Sequence, residues 1–350
     1  MAGRYNIVSV RRTPQAATTP VYSELGLLSA SSVKITDFKT MKPAEGAFTV
    51  AMASMDSDTK AALLDLAAEP LEIWVYRDGV RIFAGPVVGG SIDGDTAKLT
   101  CRGGLIYLAY MLVETDKTFA AVDLFTIGAE LVDNWQDQTY GNFGLLTAGI
   151  GTLGTTRDWN IPGATEHPKV LDALAQLAKG SFDVYVDPTD LSLAFEAARG
   201  TDLTTTVFIE RGIAKTEAGF ALGPGLVASE VYATGTGAGS VPLTTSKSDA
   251  ALRVAFGRSG AGINHDPVRD TSHLSDLADD DLAERGAVYF NPGGELFEVK
   301  EAEYADMEPG NTVEYSYDAG LGKQTLDVRI QKRVIKVGKD GTDKISVEFE

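Results

Sequence analysis

Apolar and polar residues alternate with a period of two over most of this chain, and the period lengthens to that of a helix in only a few places. Residues 32–40 (SVKITDFKT) and 46–53 alternate in this way around PAEG, which predicts a β-hairpin. Over 57–68 the apolar residues Ala61, Leu63, Leu64, Leu66 and Ala67 recur at helical spacing, with Asp56 or Ser57 as the N-cap and Pro70 as the stop. LEIWVYRDGVRIFAGPV then reads as a strand pair turning at Asp78-Gly79, and a further pair turning at Asp93-Gly94 ends in AKLTCRG. Hairpin, helix and β-meander thus fill 32–103.

Part of that pattern returns near the end of the chain. Glu69-Pro70 leads into LEIWVYRDG, then Val80-Arg81-Ile82, Val87-Val88 and DGDTAKLT; Glu308-Pro309 leads into GNTVEYSYDAG, then Val328-Arg329-Ile330, Val334-Ile335 and DGTDKISV. Order and turn chemistry match, with a longer first turn in the second copy. Duplication and chance similarity between hairpins are both open at this point.

Between the copies the pattern turns helical twice. Leu124, Phe125, Ile127, Leu131, Val132 and Trp135 predict an amphipathic helix over 122–138. His167-Pro168 opens a second one, with Val170, Leu171, Leu174, Leu177 and Ala178 as its stripe and Gly180 at its end. A Gly-rich linker, GNFGLLTAGIGTLGTT, separates them, and the strands FDVYVD and LSLAFEA follow, giving a small α/β insertion. A second insertion follows VASEVYATGTGAGSVP and holds a helix over 275–289.

Length and composition narrow the class. At roughly 150 residues per domain, 350 residues make two or three domains. The longest apolar run, LIYLAYMLV at 105–113, is far short of the roughly 20 residues that span a bilayer, and the N-terminus lacks the apolar core of a signal peptide, so synthesis in the cytoplasm and no membrane insertion by this chain are expected. The lone Cys101 sits in a strand pattern and reads as a buried core residue. The net charge is −18, yet residues 1–55 carry six Lys/Arg (Arg4, Arg11, Arg12, Lys34, Lys39, Lys42) against Glu24, Asp37 and Glu45, leaving −21 over 56–350. That balance argues against tight nucleic-acid binding.

Candidate chemistry is sparse. His167 reads as a residue beside a helix start, and His265 and His273 in NHDPVRDTSH fit no zinc spacing. Asp270, Asp276, Asp279, Asp280, Asp281 and Glu284 lack the order of a calcium loop and read as a solvated helix N-terminus. GTGAGS at 235–240 and GRSGAG at 257–262 lack the context of a phosphate loop, and no GxSxG elbow occurs. Trp74, Tyr76, Phe83, Tyr107 and Tyr110 read as core, whereas Trp135 and Trp159 could be core or a stacking surface for sugar. The expectation is therefore no catalytic residue, no metal and no cofactor.

The run LEIWVYRDGVRIFAGPVVGGSIDGDTAKLTCRG resembles the first barrel of tailed-bacteriophage tail hub proteins. DNWQDQTYGNFGL, GTTRDWNIPG and FDVYVDPTDLSLAFEAARG look like the middle domain of minor tail proteins of phages infecting actinobacteria, and EPGNTVEYSYDAG with VRIQKRVIKVGKDGTDKISVEFE resembles the hub family's second barrel. The resemblance implies a β-rich α+β fold with two tube-type β-barrel domains and α/β insertions: a first barrel over 1–115, an inserted α/β domain over 116–205, a discontinuous second barrel over 206–236 and 296–350, and a second insertion over 237–295. The second copy lacks a clear counterpart of the 57–68 helix unless 275–289 supplies it.

The function so implied is a structural one at the distal end of a virion tail. Three subunits, bearing six barrels, would continue the tail tube and let DNA pass during genome ejection, with adjacent tail proteins (the distal tail ring, tip and fibre proteins) as further partners. The acidic composition suggests a lumen lined by Asp and Glu, to which DNA does not adhere. Arg4, Arg11 and Arg12 would contact an acidic neighbouring ring or form a solvated arm. A tail-associated cell-wall hydrolase and a glycan- or receptor-binding tail protein are the alternatives.

Overall fold

The computed structural model describes residues 4–16, 18–66, 70–210, 214–216, 219–222, 227–236, 242–265, 268, 270–286, 288–291, 294–296, 304–318, 323–339 and 341–349. The first part of the chain holds β1 (Tyr5–Thr13), β2 (Val21–Leu27), β3 (Ala30–Phe38), β4 (Glu45–Ala51), α1 (Ser57–Leu64), β5 (Leu71–Arg77), β6 (Val80–Asp93) and β7 (Thr96–Arg102). The middle holds β8 (Lys117–Asp123), α2 (Leu124–Gln136), β9 (Thr156–Ile161), a short α3 (Gly163–Glu166), α4 (Val170–Ala178), β10 (Asp183–Val186) and β11 (Leu193–Glu196). After these come β12 (Phe208–Glu210), β13 (Ala214–Thr216), β14 (Gly219–Leu222), β15 (Glu230–Gly235), β16 (Leu243–Ser248), α5 (Ala250–Phe256), β17 (Gly260–Asn264), α6 (Thr271–Gly286), β18 (Val288–Asn291) and β19 (Gly294–Leu296). The chain closes with β20 (Thr312–Asp318), β21 (Lys323–Val337) and β22 (Asp343–Phe349).

Thirteen strands form one mixed sheet in the order β13-β19-β22-β21-β3-β4-β7-β6-β5-β1-β2, with β20 and β12 branching from β21. The architecture is therefore β-rich α+β. Local chemistry explains the hairpins: Asp78 and Gly79 both have positive φ, +51° and +86°, the type I′ geometry whose twist matches the flanking strands. The second turn lies one residue beyond the expected position, on Gly94-Asp95, with Gly94 at φ +56°. α1 starts where expected, because the Asp56 carboxylate accepts the Thr59 amide at 2.6 Å, but it ends at Leu64; the expected continuation over 67–68 lies outside the described residues.

Two long strands organise the sheet, and they do so in the same way. Residues 80–86 of β6 pair with β5; at Val87 the strand changes partner and continues on β7, with a bulge at Val88. Residues 323–329 of β21 pair with β20; at Ile330 the strand moves to β22, with a bulge at Gln331. A bulge in the same place relative to the partner change in both meanders is the signature of a repeated unit, since bulges twist and re-aim a strand at specific positions. The copies diverge outside the meander: β5 is flanked by antiparallel β1, and β20 by parallel β12. In the place of α1, between β19 and β20, the described residues hold one 3-10 turn, Tyr304–Met307. α6 does not supply the missing helix. It packs through Leu274, Leu277 and Ala278 on Val231 and Ala233 of the separate β16-β15-β17 sheet.

The inserted α/β part has its own core. Leu124, Ile127 and Leu131 of α2 meet Leu174 and Leu177 of α4, and Phe125, Phe182 and Phe195 pack with centroids 5.1–5.7 Å apart. His167-Pro168 does not open α4. His167, at φ +45°, ends the short helix α3, and α4 begins at Val170 because Lys169 is held in a β-bridge with Leu112. α6 starts at Thr271 and ends at Gly286, earlier at both ends than the expected 275–289, because Asp270 accepts the His273 amide at 2.7 Å and fixes the N-terminus there.

Candidate assembly surface

The two meanders meet at one seam. Residues 332–337 of β21 pair antiparallel with β3, Lys332 opposite Phe38 through Val337 opposite Val33. β7, β4, β3, β21 and β22 therefore form one unbroken strip. The side chains on one face of β21 enter the core of the first unit: Ile335 is 1% exposed among Val33, Ile35, Phe48 and Leu99. The second unit's core is made by Val313, Tyr315, Val328, Ile330, Ile345, Val347 and Phe349. A strand of the second copy thus completes the core of the first.

Charged groups lock that seam. Arg77 of β5 and Asp343 of β22 pair at 3.2 Å with side chains 8% and 6% exposed, and the Tyr5 hydroxyl donates to the same carboxylate at 2.7 Å. Burial, with that carboxylate beside it, holds the Tyr5 hydroxyl far above its ordinary pKa. The guanidinium groups of Arg77 and Arg333 lie 4.1 and 4.5 Å from the Tyr304 ring centroid. Arg333 and Arg199 both reach Asp37 of β3, at 3.5 and 3.6 Å, and Arg199 also pairs with Glu308 at 3.2 Å.

Superposing the two partner changes gives a residue-by-residue correspondence. Val87 stands where Ile330 stands, Val88 where Gln331 stands, and Ile92 where Ile335 stands. Their surroundings differ. The edge of β21 next to Ile335 is paired with β3, whereas among the described residues no strand pairs with the outer edge of 87–93. Ile92 is 50% exposed and Val88 43%. At the far end of the sheet β13, attached to β19 as β3 is attached to β4, is likewise a terminal strand.

The candidate residues of the sequence fall elsewhere. Cys101 is buried in the first core, and burial pushes its thiol pKa up. Arg12 is neither in a solvated arm nor at a contact surface. β1 is an internal strand, and Arg12 is 8% exposed, 5.0 and 5.1 Å from the Tyr107 and Phe143 ring centroids and 3.6 Å from Glu72. Burial raises the Glu72 carboxyl above its usual range, countered by hydrogen bonds from the Tyr107 hydroxyl and from Trp74 Nε1 at 2.9 Å. Tyr110 is 50% exposed rather than core, while Trp135 and Trp159 are half-buried against the insertion core.

The acidic residues of α6 are not a solvated N-terminus, since the helix starts at Thr271 and most of them fall in later turns. Asp276 accepts from Arg157 at 3.0 Å, Asp279 from Lys247, and Asp281 pairs with His265 at 2.5 Å and Lys179 at 3.7 Å. Among the described residues no three His, Cys, Asp or Glu side chains are placed to hold a metal ion. Residues 237–240 of the glycine-rich stretch lie outside the described residues.

His273 is 2% exposed, and burial lowers its pKa to about 4, with Arg157, His265 and Lys179 acting in the same direction and Asp270 against them. A His whose folded pKa is depressed stabilises the fold above its unfolded value and loses that contribution as pH falls from about 6.5 towards 4. At pH 5 the loss is about 2 kcal/mol relative to pH 7. The opening free energy of α6 and β15, read from hydrogen exchange after division by the intrinsic rate at each pH, should therefore fall between pH 7 and pH 5 in the wild type and much less in His273→Leu.

No protein-family model matches the chain, and no curated protein matches it. Solved structures do. A tail protein from Neisseria meningitidis MC58 superposes with a TM-score of 0.60 at 12% identity, covering 99% of this chain and 96% of its own. The 43 kDa tail protein of prophage MuSo2 from Shewanella oneidensis gives 0.61 at 13% identity over 99% and 98%. Prophage tail protein gp18 from Listeria monocytogenes EGD-e gives 0.56 at 14% identity over 98% and 94%. With both chains covered nearly end to end, the chain has the fold of hub-like phage tail proteins.

Proposed function

We propose that this chain is the structural tail hub of a bacteriophage virion, a homotrimeric ring at the distal end of the tail through which the genome passes. One observation carries the reading. Among the described residues the same strand position is satisfied within the chain in one copy and left open in the other, and we take the missing neighbour to be the equivalent strand of another copy of the chain. The open edge of 87–93 would receive β13 as β21 receives β3, and Ile92 would enter the second core of a neighbouring subunit as Ile335 enters the first core of its own. Such a head-to-tail contact propagates until it closes. With two units per subunit, closure at three gives six quasi-equivalent units, matching a hexameric tube, and leaves no sticky sheet edge.

In this reading the two sheet units are the two tube-type barrels, and they become closed only by ring formation. The division into 1–115, 116–205, 206–236 with 296–350, and 237–295 is kept with one change: β15 pairs with β16 and β17, so the peripheral segment takes in 230–236. The role is structural and non-catalytic, with the distal tail ring and tip or fibre proteins as further neighbours, and an actinobacterial host as the expectation carried by the sequence resemblance. Light scattering over a concentration series, with negative-stain images of the largest species, tests the reading. A three-subunit ring with a central opening is expected; a strict monomer at every concentration overturns it.

A further inference from the structure

The edge that begins at β13 runs further along the chain. Thr216 pairs with Gly294 at the end of β13-β19, and Gly219 pairs with Asn291 at the start of β14-β18. The step between these pairs is three residues on both strands, so one antiparallel register links Ala214 through Leu222 with Leu296 through Val288. Residues 217–218 and 292–293 lie outside the described residues. Counted from the two partner changes through β7 and β22, this hairpin is the counterpart of β3-β4: Thr216 corresponds to Val33, and Ala221 to Phe38. Where residues 39–44 join β3 to β4, the second hairpin carries β15, β16, α5, β17 and α6. It is anchored at both ends. β19 pairs with β22, while Asp276 and Asp281 of α6 pair with Arg157 and Lys179 of the α/β insertion at 3.0 and 3.7 Å. Between these anchors β14 pairs, among the described residues, with β18 alone. A two-stranded ribbon is marginally stable in water by itself, and a held, open edge is a template for a further strand.

We propose that β14 is the strand that docks on the open edge of β6 in a second copy of the chain, in one fixed register. The occupant rests on the ring reading above; the docking strand and its register go beyond it. Copying the pairing of β3 on β21 puts Thr216 opposite Gly94, Gly219 opposite Ser91 and Ala221 opposite Gly89 of the neighbour. β13 itself thus reaches only Gly94. The Leu222 amide donates to the Val88 carbonyl, as the Lys39 amide donates to the Gln331 carbonyl at 2.9 Å. Hydrogen-bonded and non-hydrogen-bonded pairs alternate along an antiparallel ladder, so 219 with 91 and 221 with 89 are of the second kind, with Cα atoms about 4.5 Å apart.

The test is disulfide capture in the full chain. Nothing lies within 4 Å of a Cβ placed on Gly89, and Ser91 is exposed, so cysteines fit there in the free subunit. The variants G89C/A221C and S91C/G219C, oxidised with diamide, should give linked dimers and trimers on denaturing gels without reductant, the ladder ending at three. The offset control S91C/A221C should give none, because diagonal neighbours lie about 7–8 Å apart, too far to bridge. An equal mixture of the single variants S91C and G219C should stop at dimers, and neither should link alone. Cys101 is buried, so the wild type serves as the blank. Light scattering on the same samples separates the two readings. A three-subunit ring in which only the control links, or in which no pair links, overturns the docking of β14 and leaves the ring standing. A strict monomer without links removes the ring and this proposal with it.

Discussion

Ile92→Lys should abolish ring assembly while leaving the subunit folded. Ile92 is half exposed in the isolated chain, so a lysine there meets water and costs the fold little. In the proposed ring the same side chain would be buried against a neighbour. Losing a buried isoleucine forfeits about 1.5–3 kcal/mol per interface, and desolvating an ammonium group costs more still. Over three equivalent interfaces the loss is at least about 4.5 kcal/mol, roughly three decades in the association constant. The structurally equivalent residue should behave in the opposite way. Ile335→Lys puts a charge at a position 1% exposed and should unfold the first unit. Val254→Lys, on an exposed helix position with 89% of the side chain accessible, should affect neither property. Thermal unfolding and light scattering on the three variants read both effects. An Ile92→Lys protein that still forms rings at wild-type concentration would remove the proposed strand addition at 87–93.

This contrast between equivalent residues was only half legible in the sequence. The alternation around Asp78-Gly79 and the recurrence at Val328-Arg329-Ile330 disclose the two meanders, because hairpin registers are set locally by turn residues and side-chain period. The place where β6 and β21 change partners leaves no trace in composition: Val88 and Gln331 are chemically unlike, and only the pairing identifies both as bulges. The seam is likewise non-local. Arg77 and Asp343 are 266 residues apart, and nothing near either announces the other. Charge misled in the same way. Arg12 looked like part of a basic arm because its sequence neighbours are basic, yet β1 pairs on both edges and carries it beside the stacked Tyr107 and Phe143 rings.

Asp343→Ala should destabilise the seam by about 3–5 kcal/mol, because it removes one partner of a buried ion pair, the carboxylate 3.2 Å from the Arg77 guanidinium. The loss is larger than for a surface pair, whose removal costs about 0–1 kcal/mol. Tyr5 loses its acceptor at the same time. A neutral replacement of both partners, Arg77→Met with Asp343→Leu, removes the desolvation penalty along with the attraction and should recover most of the loss. The urea midpoint of the three proteins, analysed as a double-mutant cycle, reads the coupling directly. The consequence extends beyond stability, since Arg77 belongs to the first unit and Asp343 to the second: fraying here loosens β21 from β3, and with it the spacing between the two sheet units that any ring must repeat. Hydrogen exchange at residues 33–38 and 332–337 should therefore speed up in Asp343→Ala more than exchange in α2 and α4, which pack in a core of their own. Uniform acceleration across all four segments would mean that the pair supports the whole chain, not the seam.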